Sequence, residues 1–168
     1  MAATSRSATG RTAPVEIVRF HPRHLARILE IERAAFREEP YTGAVFRELH
    51  TECGELFLVA KVTHRIAGYM ATCTEDREAE VISVAVDPEH RRKGVAAALL
   101  EYTLERLRGS GVRSVELMVR VDNEEAIRFY RRFGFRRVQE VPGYYENGRA
   151  GLRMRRALAA GRLEVPQP

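Results

Sequence analysis

Between the apolar run EVISVAV and the amphipathic stretch VAAALLEYTLERL stands a proline turn followed by Arg91-Arg92-Lys93-Gly94. The chain therefore passes from a strand through a basic, glycine-ended loop straight into a helix. Backbone N–H groups in the first turn of a helix have no partner within it, and the helix dipole makes that end positive. Gly94 and the small Ala96 let a ligand approach the main chain closely, while Arg91, Arg92 and Lys93 add charge around it. The segment from Arg91 to Ala97 predicts a cradle for a diphosphate. Val95, Ala98, Leu99 and Tyr102 share one face of the helix, which favours this reading over a solvated basic turn.

The remaining pattern surrounds that unit with a single domain. VEIVRF reads as a strand, HPRHLARILEIERAAF as a helix with Leu25, Ile28, Leu29, Ile31, Glu32 and Phe36 at helical spacing, and PYTGAVFRELH as a second short helix. ELFLVAKV, RIAGYMATCT and EVISVAVD read as strands joined by short polar turns, which suggests antiparallel pairing. After the loop and its helix come the strand RSVELMV, the helix EEAIRFYRRF stopped by Gly134, and two strands around GYYENGR. The order β-α-α-β-β-β-α-β-α-β-β predicts a mixed α/β sheet with helices on its faces, and the glycine spacing does not fit a dinucleotide fingerprint.

Residues 15–158 are the expected domain, with polar, proline-containing ends at 1–14 and 159–168 expected to be mobile tails. With 168 residues, 45% hydrophobic and 30% charged, the chain can bury one core. Its longest apolar runs are too short to span a bilayer, and the first residues lack a secretory apolar segment, so a cytoplasmic protein is expected. Cys53 and Cys73 have no zinc-type spacing and are read as buried thiols. His21, His24, His50, His64 and His90 are scattered, which suits surface or capping roles rather than metal binding. The net charge of +5 favours anionic partners such as a nucleotide cofactor, a ribosome or an acidic peptide. A nucleic-acid-binding module would need a continuous basic face with stacking aromatics, whereas these arginines are interspersed with acids.

Arg91, Gly94 and Ala96 match the acetyl-CoA signature of the GCN5-related N-acetyltransferases, or GNAT superfamily: Gln or Arg, two residues, Gly, one residue, Gly or Ala. VRVDNEEAIRFYRRFGF and GYYENGRAGLRM resemble segments of its RimI-type ribosomal-protein alanine acetyltransferases and archaeal NatA-like N-terminal acetyltransferases. The resemblance spans about residues 15–158. It implies a mostly antiparallel sheet with a splayed central strand pair. The pantetheine arm of acetyl-CoA would pair with the main chain at Val84, Ala85 and Val86, and its pyrophosphate would rest on Arg91, Arg92, Lys93, Gly94, Val95, Ala96 and Ala97. Asn123 matches a cofactor-contacting Asn, and a helix N-cap is an equally good physical role for it. Tyr130 shares a helix face with Ala126, Ile127 and Phe133, as a core tyrosine would. The resemblance makes it the acid that protonates the departing thiolate. Phe36 and Tyr41 would form one wall of a peptide groove and Tyr144 and Tyr145 the other. Glu38 and Glu39 would attract an ammonium or merely solvate a turn.

One departure bears on the chemistry. Where bacterial members have Glu in Leu-Glu-Val-Arg, this chain has Met118, which cannot accept a proton. Glu116 and Glu80 are the nearby acids. Glu80 matches the catalytic position of histone-acetylating members and is the first choice. Even spacing puts Glu80, Val84 and Val86 on one face unless a bulge intervenes. The expected reaction is direct attack of a protein α-amine, that of a ribosomal protein or a nascent chain, on the acetyl thioester, with lysine or small-amine acetylation as the alternative within the fold.

Overall fold

The structure, a computed structural model, describes residues 12–159, so most of both expected tails lies outside the described residues. Strands β1 (Val15–Arg19), β2 (Phe57–Val62), β3 (Arg65–Glu75), β4 (Glu78–Val86), β5 (Ser114–Arg120), β6 (Arg136–Val141) and β7 (Gly151–Ala157) occur with helices α1 (Leu25–Ala35), α2 (Gly43–Cys53), α3 (Val95–Gly109) and α4 (Glu124–Arg132) in the predicted order. They form one seven-stranded sheet, β1-β2-β3-β4-β5-β7-β6, in which only the β4–β5 pair is parallel.

Two apolar clusters flank the sheet. α1 and α2 contribute Ile28, Ile31, Phe46 and Leu49 to one face, where they meet Phe57, Val59 and Tyr69. α3 and α4 supply Leu99, Leu100, Leu104, Leu107 and Ile127 to the other, against Leu58, Met70, Val115 and Leu117. β2 is covered on both sides, which explains why FLVAKV is apolar almost throughout rather than alternating. Local signals set the helix starts: the Thr42 hydroxyl accepts from Val45 N–H to begin α2, and the Asn123 side-chain Oδ1 accepts from Ala126 N–H to begin α4.

The centre of the sheet opens as expected. β4 pairs with β5 only from Glu78–Ser114 to Val81–Leu117; beyond that, β5 continues beside β7 alone. The main chain of β4 from Ile82 to Val86 is thus left without a partner on that side. On the other side, Val81 faces Thr72 and Ser83 faces Ala71, so Ile82 is the extra residue of a β-bulge. This bulge corrects the simple even-spacing count. Val84 and Val86 pack on the α3 side, whereas Ile82 packs on the α1/α2 side. Glu80 lies between Ala79 and Val81, both of which face α3, and therefore points toward the α1/α2 side with Ile82.

The cysteine expectation is also corrected. Cys53 and Cys73 form a disulfide, joining the end of α2 to β3 across a sequence separation of 20. Packing α2 over β3 brings their Cα atoms to 4.2 Å, a tertiary proximity that spacing along the chain does not encode. Cys73 is the register partner of Glu80, so the bond lies beside that carboxylate. Among the described residues, no helix is long and apolar enough to cross a membrane.

Candidate active site

α3 begins at Gly94, whose φ of +78° is the left-handed conformation that glycine adopts at little cost. No side chain caps this helix. The first intrahelical bond is Ala98 N–H to Gly94 C=O, at 3.0 Å, so the N–H groups of Val95, Ala96 and Ala97 have no partner inside the helix. A Cβ built on Gly94 meets nothing within 4 Å. Arg91, Arg92 and Lys93 are exposed around this space. The loop is held from below by Asp87, which accepts from Arg27 of α1 at 2.6 Å and contacts His90 at 3.1 Å. Donor groups and a positive dipole meet at one accessible point, with three exposed cationic residues in the loop leading to it, which is what a diphosphate requires.

Asn123 caps α4 with its carbonyl oxygen, at 3.2 Å from Ala126 N–H, and its amide N–H2 remains available for a second contact. Tyr130, two turns further on, is buried, with its ring edge-on to Phe129 and Phe135. Burial, followed by the neighbouring Tyr145 phenol, pushes its pKa up to about 12. Its hydroxyl therefore stays protonated at any ordinary pH, the form a proton donor requires, although the same shift makes it a weaker acid than a free phenol.

The two acids are in different environments. Glu80 and Glu116 are register partners on parallel neighbours and share a face. Glu116 is engaged: Arg155 donates to it at 3.3 Å while also bonding Glu78 and the Ser114 hydroxyl, and Arg153 lies at 3.9 Å. Glu80 is exposed and enters no such pair among the described residues. Met118, on the same face as Glu116, has its methyl group beside Gly151: a Cβ there would come within 2.7 Å of Met118 Cε and 3.0 Å of the Tyr144 ring. The absent side chain lets Tyr144 lie over the β5–β7 pair next to Met118.

The aromatic walls do converge. The Tyr41 phenol feels the charges of Glu32, Tyr144 and Glu80, after desolvation, and all four effects raise its pKa. Tyr145, pushed up to about 12 mainly by burial, lies within electrostatic reach of Tyr144, Arg120, Tyr41 and Asp122. Tyr144 and Tyr145 meet edge to face at 5.0 Å. Phe36 ends α1 and is 40% exposed. Sequence reasoning missed a link between these walls: Asn147 in the hairpin donates to Glu38 at 3.0 Å. Nothing in the two exposed segments marks that pair in advance, as they are 109 residues apart.

A family profile described as Acetyltransferase (GNAT) family matches residues 25–135. The chain belongs to the GNAT acetyltransferase family. Among curated GNAT relatives, an N-alpha-acetyltransferase of Saccharolobus solfataricus is 32% identical over 145 residues, covering 79% of this chain and 86% of that protein. Among solved structures, Ard1 from Thermoplasma volcanium superposes with a TM-score of 0.82 at 34% identity, covering 86% of this chain and 98% of that one. The ribosomal-protein-S18-alanine N-acetyltransferase from Escherichia coli gives 0.78 at 26% identity, with 89% and 99% covered. The matched GNAT segment contains the α3 cradle, Glu80, Asn123 and Tyr130.

Proposed function

We propose that this acetyltransferase moves an acetyl group from acetyl-CoA to the α-amino group of a protein N-terminus. The observation that carries the reading is the joining of the Glu38–Tyr41 segment to the Tyr144–Tyr145 hairpin through Asn147 and Glu38, with Glu80 in electrostatic reach of Tyr41 beside the opening between β4 and β5. The uncapped first turn of α3 and the unpaired stretch of β4 fit the diphosphate and the amide-bearing arm of acetyl-CoA: three N–H donors for the first, and strand main chain at Val84 to Val86 for the second. When bound, acetyl-CoA supplies an activated thioester carbonyl that an amine can attack.

The chain's own residues then divide the proton work. Glu80, without an arginine partner among the described residues, accepts the proton released from the attacking amine, directly or through water. Tyr130, protonated below about pH 12, gives its proton to the departing sulfur. As the C–N bond forms and the C–S bond breaks, one proton enters at Glu80 and one leaves at Tyr130. An α-amine suits a modest base of this kind. Its pKa lies about 2.5 units below that of a lysine amine, a difference of about 3.5 kcal/mol in deprotonation.

The relatives named as N-alpha- and ribosomal-protein alanine acetyltransferases support this acceptor, a ribosomal protein or nascent chain being the class in view. The test uses paired peptides: one with a free N-terminus and no lysine, one N-terminally blocked with a single lysine. Thiol release from acetyl-CoA should be faster with the first. Faster release with the second would overturn the assignment.

A further inference from the structure

Glu32 is a carboxyl group set into the core with no cation bonded to it among the described residues. It lies on α1 beside buried Ile28 and Ile31 and is only 1% exposed. One of its oxygens, Oε1, accepts from Tyr41 N–H at 2.9 Å; the other accepts from the Tyr69 hydroxyl. With its proton committed to Glu32, the Tyr69 oxygen accepts in turn from the Ser83 hydroxyl at 2.8 Å. Desolvation pushes the Glu32 carboxyl above the usual carboxylate range, opposed by those two hydrogen bonds. Burial, with Glu32 second, pushes Tyr69 well above the usual phenol value.

Such a group is an expensive way to fill a core. A hydrophobic side chain of similar volume is often neutral or stabilising in its place, so stability alone does not account for it. The positions of the two ends do. Tyr41 is in the wall of the acceptor groove, and its main-chain N–H is the atom that Glu32 holds. Ser83 follows the Ile82 bulge and lies within the opened stretch of β4, directly before Val84.

From this we infer that Glu32 is a positioning residue for the acceptor. Through Tyr69 and Ser83 it ties the Tyr41 main chain to the cofactor-facing strand, so the groove wall keeps a fixed relation to the reacting carbonyl. The inference rests on the acceptor site proposed above in taking that wall to contact a peptide.

The test is the double substitution Glu32→Leu with Tyr69→Phe, which removes the chain while keeping the core filled. It should stay folded, the filled core offsetting the Tyr41 N–H and Ser83 hydroxyl left without these partners, and bind acetyl-CoA with the parent affinity. The peptide KM should rise about tenfold, the scale of one lost hydrogen bond, with a smaller change in kcat. Hydrogen exchange at the Tyr41 amide should quicken by about the same factor. The single variant Glu32→Gln, which keeps an oxygen for the Tyr41 amide, should return KM to within about twofold of the parent.

Parent-like KM and exchange in the double variant would overturn the inference, as would an equal loss of acetyl-CoA affinity, the mark of a general scaffold role. Should the double variant not fold, Tyr69→Phe alone decides, because cutting the link to Ser83 must raise KM. A parent protein that acetylates lysine but no N-terminus would refute the proposed function, while amide exchange and KM for the lysine peptide would still judge the positioning role.

Discussion

Replacing Gly94 with Glu separates folding from cofactor binding in a way that can be worked out from the α3 start. The residue has φ +78°, and a Cβ there has no atom within 4 Å. The folded protein therefore meets backbone strain without a clash, at a cost of about 1–2 kcal/mol for a non-glycine residue in the left-handed region. For a chain of this size that corresponds to a fall in Tm of about 2–8 °C. Acetyl-CoA should suffer much more. The new carboxylate projects into the space in front of the Val95, Ala96 and Ala97 N–H groups and repels the phosphates. Loss of two charge-assisted hydrogen bonds, at about 1.5–3 kcal/mol each, removes at least hundredfold in affinity. Thermal unfolding and titration calorimetry on one sample measure both effects, and Gly94→Asn serves as a control that tolerates the backbone without adding charge. A folded Gly94→Glu protein with parent affinity for acetyl-CoA would refute the cradle.

Tyr130→Phe should lower kcat more than it changes acetyl-CoA affinity, and because the phenol titrates only near 12, the parent rate profile should show no ionisation of this group below about pH 11. Glu80→Gln should lower the rate by about ten- to a hundredfold, most at low pH where fewer amines are neutral, and Glu116→Gln should do much less. A parent-like profile for Glu80→Gln with a lost acidic limb for Glu116→Gln would move the base to β5. Replacing Cys53 and Cys73 together by Ser should reduce stability by about 3 kcal/mol, the chain-entropy value for a loop of this length, in a denaturant titration. A midpoint unchanged from the oxidised parent would show that the bond contributes nothing.

What could be read from the sequence was local. The strand, loop and helix around Gly94 are contiguous, so glycine, small residues and apolar spacing specify the cradle without reference to the rest of the chain. The element order followed for the same reason, since each strand and helix shows its own period. Asn123 presented two roles, and the structure assigns its oxygen to the helix cap. Features that depend on register or on distant segments were not legible. No residue type marks Ile82 as the bulge that turns Glu80 away from Val84, and the Cys53–Cys73 bond arises only once α2 lies on β3. Glu32 left a trace, as an acid at a core position of an otherwise apolar helix face. Its partners Tyr41 and Tyr69 became visible only when three elements packed together.

The central claim, transfer to a protein N-terminus, is tested most directly by where the acetyl group lands. A library of peptides that each carry a free N-terminus and an internal lysine can be incubated with isotopically labelled acetyl-CoA and sequenced by fragmentation mass spectrometry. The account predicts label on the first residue's α-nitrogen, reduced by Glu80→Gln, most at low pH, and slowed by Tyr130→Phe. Label predominantly on lysine ε-nitrogens would contradict it.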